Sequence, residues 1–194
     1  MDGYKRKKKK DPPKPSQRYV NWAIMAYLKR YNGPRAHVRR VLWRKMERCL
    51  AFHGGDREEV AEWIEHALDQ AEQGGVINDQ RYVKAKVRSY LRRGASVLGI
   101  AHKLRAKGIP REMVDAALSE IAEAGFDHQW IAVASYVRRV RMGPFRVREM
   151  DPRESRRKDL ARLGRAGFSF DMAQKILEMD AEDIEELAFK RRFI

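Results

Sequence analysis

The segment QRYVNWAIMAYLKRY at residues 17–31 returns in altered form as QRYVKAKVRSYLRRG at residues 80–94. Aligned without a gap, the two segments share seven of fifteen positions, including the opening Gln-Arg-Tyr-Val and a later Tyr-Leu pair. Agreement at this level is rare by chance and indicates an internal repeat. Apolar residues in both segments recur at spacings of three and four, which is the pattern of an amphipathic helix. The repeat therefore begins with a helix.

Glycine and proline divide the first repeat into three helices. Gly33-Pro34 ends the first helix, Gly54-Gly55 ends the second and Gly74-Gly75 ends the third. Asp56 precedes the third helix and Glu59 stands three residues later, which is the arrangement of a capping box. The first repeat is therefore predicted to be a three-helix unit.

The same organisation continues towards the C-terminus. In the second unit Gly94 and Gly108 separate the helices, and a shift of 59 residues aligns Leu104 with Leu163 in a third unit. No segment shows the sustained alternation of a β-strand. We therefore predict an all-α protein of three tandem three-helix repeats that pack end to end as an elongated, curved array.

The repeats set the predicted domain boundaries. The parts are a disordered basic arm (1–16), repeat 1 (17–75), repeat 2 (76–125), repeat 3 (126–180) and a C-terminal helix or tail (181–194). The arm contains the unbroken basic run from Lys5 to Lys10 and the proline-rich stretch that follows it. It is either a solubilising tail or an arm that contacts phosphates and becomes ordered on binding.

The net charge of +15 indicates an anionic partner. Residues 1–18 carry eight basic and two acidic side chains, so the repeats are basic without the arm. Any single cation could belong to a solvated helix face, but clusters that recur in every repeat favour a binding surface for a partner or DNA. That candidate surface comprises Arg35, Arg39, Arg40, Arg44, Arg88, Arg92, Arg93, Lys103, Arg105, Lys107, Arg138, Arg139, Arg156, Arg157 and Arg162.

Aromatic side chains give a second, weaker indication. Trp22, together with Ala23, Ala26 and Tyr27, lies on the apolar stripe that we expect the first helix to bury. Tryptophans at helical spacing are more often core residues than platforms for base stacking. If one ring is exposed, we expect it to be Trp43, because that residue lies among cations.

We predict no catalytic, cofactor-binding or metal-binding residues. The five histidines lack the spacing of a metal site, and Cys49 with His53 makes only a two-residue constellation. No Gly-x-x-x-x-Gly-Lys phosphate loop is present in the sequence. A single cysteine precludes a disulfide within the chain and fits the cytoplasm. No apolar run approaches the roughly 20 residues that span a bilayer, so we expect no membrane partner.

Several of these residues resemble the RecX family of regulatory proteins. The resemblance covers about residues 17–180. Within this range, short motifs of the chain are similar to two signatures of the family, "G-[LV]-[IL]-[ND]-D-x-x-[FY]" and "L-x-x-K-G-[IV]". It is densest in the second unit, in Gly75-Val-Ile-Asn-Asp79, Arg81-Tyr82, Tyr90-Leu-Arg-Arg-Gly94, and Leu104 with Lys107-Gly-Ile109.

The resemblance implies three three-helix repeats and a regulatory, non-enzymatic role in homologous recombination, DNA repair and the SOS response. Members of the family lie in the groove of the RecA–DNA filament and limit filament growth or strand exchange. The implied partners are the RecA filament and single- and double-stranded DNA, which the protein would bind directly or through RecA. The expected oligomeric state is a monomer.

Two alternatives compete with the filament modulator. One is a helical protein that binds DNA directly, with a helix-turn-helix unit in the major groove. The other is an interaction scaffold whose charge serves only solubility. A protein that binds DNA directly should do so tightly without RecA, and its affinity should fall steeply with salt concentration. Specific binding to one operator sequence would exclude the filament modulator.

Overall fold

The computed structural model describes residues 11–194, and within them the chain forms ten α-helices and no strand. The prediction of an all-α fold is therefore confirmed. The chain divides into two compact units, an N-terminal unit that ends at Asn78 and a C-terminal unit that begins at Asp79. None of the helices in the described part combines the length and apolar composition that a membrane-spanning helix requires.

Three helices form the N-terminal unit, as the pattern of glycine and proline predicts: α1 (Gln17–Leu28), α2 (Arg35–His53) and α3 (Arg57–Gln73). The Asp56 carboxylate caps α3 by accepting a hydrogen bond from the Glu58 backbone N–H at 2.8 Å. Apolar side chains at helical spacing fill the space between the helices, with Val20, Leu42, Met46, Ile64 and Leu68 among those fully buried.

The inward face of α1 differs from the prediction. Val20, Ala23 and Ile24 are buried, whereas Trp22 is 59% exposed and stacks on the Tyr19 ring with 5.6 Å between centroids. The expectation of an exposed Trp43 is also wrong, because that ring is half-buried with the Arg57 guanidinium 4.6 Å from its centroid. The apolar stripe of α1 is centred one position away from the predicted one.

The basic arm lies mostly outside the described residues, and its predicted disorder stays a prediction there. Residues 11–16, which are described, form no helix or strand. The Pro12 carbonyl oxygen lies 2.6 Å from His53 Nε2, at the end of α2. The proline-rich stretch therefore contacts the N-terminal unit.

The C-terminal unit contains seven helices around one core. They are α4 (Asp79–Arg92), α5 (Val97–Arg105), α6 (Arg111–Glu123), α7 (His128–Val140), α8 (Pro152–Arg165), α9 (Phe170–Glu178) and α10 (Ala181–Phe189). Buried residues from all seven belong to a single apolar cluster. The α7 segment from Ile131 to Ser135 is buried at every position, which places this helix in the interior. Since the second and third predicted repeats share this core, the boundary between them stays a prediction.

The end of the chain packs as a helix. The Asp180 carboxylate accepts a hydrogen bond from the Asp183 backbone N–H at 2.8 Å and so caps α10. Ile184 and Ala188 of α10 are buried against the core that contains α7. Residues 181–189 are therefore an integral part of the C-terminal unit.

Candidate functional site

Helices α4, α5, α7 and α8 surround an open cleft of about 410 Å³ within the C-terminal unit, which we call the basic cleft. Three cationic residues line it: Arg93, just beyond the end of α4, Lys103 on α5 and Arg139 on α7. All three belong to the candidate surface predicted from the sequence. The fold thus brings together cations that are up to 46 positions apart in the chain.

Close backbone packing builds one wall of the basic cleft. Gly94 has φ +75°, and a Cβ at this position would lie 2.4 Å from the backbone nitrogen of Tyr136. Glycine alone allows both the left-handed conformation and this approach of the end of α4 to α7. The wall therefore depends on a residue without a side chain.

Ser96 fixes a second wall. Its hydroxyl accepts a hydrogen bond from the Gly99 N–H at 3.1 Å, which caps the start of α5. The same hydroxyl donates to the Ala166 carbonyl oxygen at 2.6 Å, where α8 ends. One buried side chain therefore ties the start of α5 to the end of α8, and both Ser96 and Ala166 line the cleft.

Two tyrosine rings accompany the cations. Lys103 Nζ lies 5.1 Å from the ring centroid of Tyr90, and Arg139 Cζ lies 5.3 Å from that of Tyr136. Both distances are within the range of cation–π attraction. Within residues 11–194, none of the three cleft cations forms an ion pair with a carboxylate. The basic cleft therefore presents positive charge next to aromatic surface, a combination suited to an anionic partner with planar groups.

Sequence reasoning missed both tyrosines and Ser96 as site residues. A signal for the tyrosines was present, because Tyr136-Val-Arg-Arg139 repeats Tyr90-Leu-Arg-Arg93 in the sequence. Each tyrosine stands three positions before a cleft arginine, which is about one helical turn. No sequence signal identifies Ser96, since its partner Ala166 is 70 positions away.

Predicted cations of the N-terminal unit have different surroundings. Arg35 on α2 lies within 2.8 Å of carboxylate oxygens of Glu65, Asp69 and Glu72 on α3. Burial lowers the pKa of Arg35, but hydrogen bonds to Asp69 and Glu65 outweigh it and raise the pKa above its usual value. Arg39 also pairs with Glu65. These two arginines thus link α2 to α3, while Arg40 and Arg44 are exposed on α2.

The other predicted cations of the C-terminal unit lie outside the basic cleft. Arg138 pairs with Glu185 at 3.6 Å and Arg156 with Glu178 at 2.7 Å. Most of the remainder are exposed and one, Lys107, is half-buried; they are Arg88, Arg92, Arg105, Lys107, Arg157 and Arg162. The structure therefore separates the fifteen predicted residues into a cleft group, a helix-linking group and a scattered exposed group.

Comparison with known proteins identifies the three-helix organisation. Residues 78–118, which include α4, α5 and part of α6, match the family model described as RecX, second three-helix domain. A crystal structure of RecX from Lactobacillus salivarius has the same fold, with a TM-score of 0.56, 19% identity and coverage of 92% of this chain and 97% of that one. The chain is thus an all-helical protein that contains a three-helix domain of the RecX type.

Sequence relatives extend the match along the chain. The Regulatory protein RecX of Myxococcus xanthus is 36% identical over 91% of this chain and 95% of its own length. The protein of the same name from Agrobacterium fabrum is 29% identical over 89% of this chain and 91% of its own length. The chain belongs to the RecX family of regulatory proteins, which confirms the family predicted from its motifs.

Proposed function

We propose that this protein binds the RecA recombinase–DNA filament and inhibits its strand-exchange and ATPase activities in homologous recombination and DNA repair. The observation that carries the proposal is the 36% identity, over 91% of the chain, to a protein named Regulatory protein RecX. The RecA partner comes from the family resemblance. In this proposal the protein acts as a cytoplasmic monomer and has no catalytic step of its own.

The charge distribution supports such a partner. A nucleoprotein filament repeats its phosphates along its length, so a protein with cations in both of its units can make contacts that repeat with it. Arg40 and Arg44 are exposed on the N-terminal unit, and Arg93, Lys103 and Arg139 line the basic cleft of the C-terminal unit. Carboxylates neutralise part of the remaining predicted surface, whereas the cleft cations have no carboxylate within ion-pairing distance among residues 11–194.

RecA-catalysed ATP hydrolysis on single-stranded DNA tests the proposal. We expect sub-stoichiometric protein to lower the steady-state rate of hydrolysis and to shorten the filaments seen by electron microscopy. The assay is repeated with single-stranded DNA in several-fold excess over the amount that RecA can cover. Under this condition a basic protein cannot lower the rate of hydrolysis simply by sequestering the DNA. Unchanged hydrolysis and filament length at equimolar protein would contradict the proposal, as would binding to one specific duplex operator.

A further inference from the structure

We propose that the basic cleft binds single-stranded DNA, with Arg93, Lys103 and Arg139 on the phosphates and the rings of Tyr90 and Tyr136 against unstacked bases. This inference rests on the proposed function, because it takes DNA to be part of the filament that the protein binds. It assigns the DNA contact to one place in the fold.

The first argument is electrostatic. Three positive side chains line one concavity of about 410 Å³, and like charges gathered in one cleft raise the free energy of the unliganded protein. The chain does not lack carboxylates, because it has 27 of them and gathers three around Arg35. Around the cleft cations it places none within ion-pairing distance in the described residues. A bound anion would supply the missing countercharge.

The start of α5 adds to the same field. This helix has nine residues and begins next to Ser96, which lines the cleft. The positive end of its dipole therefore lies at the Ser96 side of the cleft, whereas Lys103 stands in the last turn of the same helix. Phosphate oxygens suit this environment because they can accept hydrogen bonds from guanidinium, ammonium and backbone N–H groups together.

The aromatic rings favour a nucleic acid strand over an acidic peptide. Tyr90 and Tyr136 stand at corresponding positions of the repeated Tyr-x-Arg-Arg motif, one on α4 and one on α7. Each ring has a cleft cation over it, so a base that stacks on the ring takes the place of that cation, which moves to the adjacent phosphate. An acidic peptide would use the cations but would gain little from the rings.

The rings also favour single strands over duplex. Stacking on a side chain requires a base whose face is open, and in a duplex the neighbouring bases cover both faces. A cleft built from two ring–cation pairs offers phosphate and stacking contacts, which do not read the base edges of a major groove. We therefore expect little dependence on base sequence.

Binding of a fluorescein-labelled dT20 oligonucleotide by the full chain, without RecA, tests the proposal through its salt dependence. The variant R93Q/K103Q/R139Q removes the three cleft cations. The matched control R88Q/R105Q/K107Q removes two arginines and one lysine from the same unit, outside the cleft. Each phosphate contact of a single strand contributes about 0.7 to the slope of log K against log salt. We expect the slope to fall by about 2 in the cleft variant and to stay near the wild-type value in the control.

Substitution of a tyrosine tests the stacking contact separately. We expect Y90L to weaken dT20 binding about tenfold with an unchanged salt slope, because the ring contributes stacking and no charge. Y90F keeps the ring and should bind like the wild type. Thermal unfolding followed by circular dichroism verifies that each variant is folded.

Several outcomes would overturn the inference. The first is an equal loss of dT20 affinity and salt slope in the cleft and control variants. The second is tighter binding to a 20-base-pair duplex than to dT20, and the third is displacement of dT20 by polyglutamate as readily as by unlabelled dT20. The fourth is the absence of dT20 binding by the wild type at about 20 mM salt. If the cleft variant binds dT20 normally while the wild type still inhibits RecA, the cleft inference alone fails. If the wild type binds dT20 through the cleft but leaves RecA unaffected, the proposed function alone fails.

Discussion

Gly94 and Tyr136 meet backbone to backbone: a Cβ added to Gly94 would lie 2.4 Å from the Tyr136 nitrogen and 2.7 Å from its Cα. This approach joins the end of α4 to the middle of α7, between residues predicted to belong to different repeats. The same contact places Arg93 and Arg139 around one cleft. Packing of the core and assembly of the cleft therefore depend on the same glycine.

We predict that Gly94→Ala destabilises the C-terminal unit by about 3 kcal/mol. A left-handed backbone costs an L-residue about 1–2 kcal/mol, and overpacking adds about 1–3 kcal/mol because the obstructing atoms are backbone. Urea unfolding followed by circular dichroism measures the change. Gly125→Ala is the matched control, since Gly125 has φ +82° but no atom within 4 Å of its added Cβ. A loss in G94A no greater than that in G125A would contradict the close approach.

Asp159 connects the loop after α7 to α8. Its side chain is 8% exposed, and it accepts hydrogen bonds from Arg146 at 2.5 Å and from the Gly143 N–H at 3.2 Å. We predict that Asp159→Ala costs about 2–3 kcal/mol of unfolding free energy, because it leaves a largely buried guanidinium and an N–H without an acceptor. Glu178→Ala, which removes the exposed partner of Arg156, should cost less than about 1 kcal/mol. Equal losses in the two variants would be inconsistent with a buried pair.

Arg35 should behave as a structural cation and not as a DNA contact. We predict that Arg35→Gln lowers the unfolding free energy by about 1 kcal/mol at low salt, because three carboxylates of α3 lose their shared partner. The loss should shrink at about 0.5 M salt, since screening weakens partly exposed pairs. Arg44→Gln, an exposed substitution on the same helix, should leave stability unchanged. A steeper loss of dT20 affinity in R35Q than in R44Q would contradict this assignment.

The ends of the helices were easier to predict from the sequence than the faces that the helices bury. The breaks predicted at Gly33-Pro34 and Gly54-Gly55 directly flank the observed α2, Arg35–His53, because glycine and proline act through local backbone conformation. The exposed face of α1 was harder to predict, since Trp22 stacks on Tyr19 at the surface instead of entering the core. Amphipathic spacing locates a helix, but it does not decide how far a large ring at the edge of the stripe is buried.

The candidate site could be predicted only as a set of residue types. Arg93, Lys103 and Arg139 were in the predicted surface, yet nothing in the spacing distinguishes them from Arg88 or Arg92. The distinction arises from tertiary packing at Gly94 and Ser96, whose contacts are 42 and 70 positions away. Repeat alignment could have identified the tyrosines, because the paired Tyr-x-Arg-Arg motif is visible in the amino-acid sequence alone.

The pH dependence of stability should reflect His128 at the start of α7. Burial lowers its pKa below 6.5, against an opposing effect of Asp127, and its Nδ1 is buried without a hydrogen-bond partner among the described residues. Below pH 6.5 the unfolded chain therefore binds a proton that the folded chain binds less readily, so stability falls as pH decreases from about 6.5. In urea unfolding between about pH 7.5 and 5.5, His128→Gln should show a smaller loss than the wild type. An equal loss would assign the pH dependence to other groups.

Regulation of RecA should depend on the basic cleft if the cleft holds the DNA strand of the filament. We predict that R93Q/K103Q/R139Q requires about tenfold more protein than the wild type to halve ATP hydrolysis on single-stranded DNA, since three phosphate contacts are lost. The control R88Q/R105Q/K107Q has the same net charge and should remain close to the wild type, which separates a local contact from a general effect of charge. Raising the salt concentration should narrow the difference between the two variants, because the contacts removed are ionic. Equal inhibition by the two variants at low salt would place the inhibitory contact elsewhere on the protein.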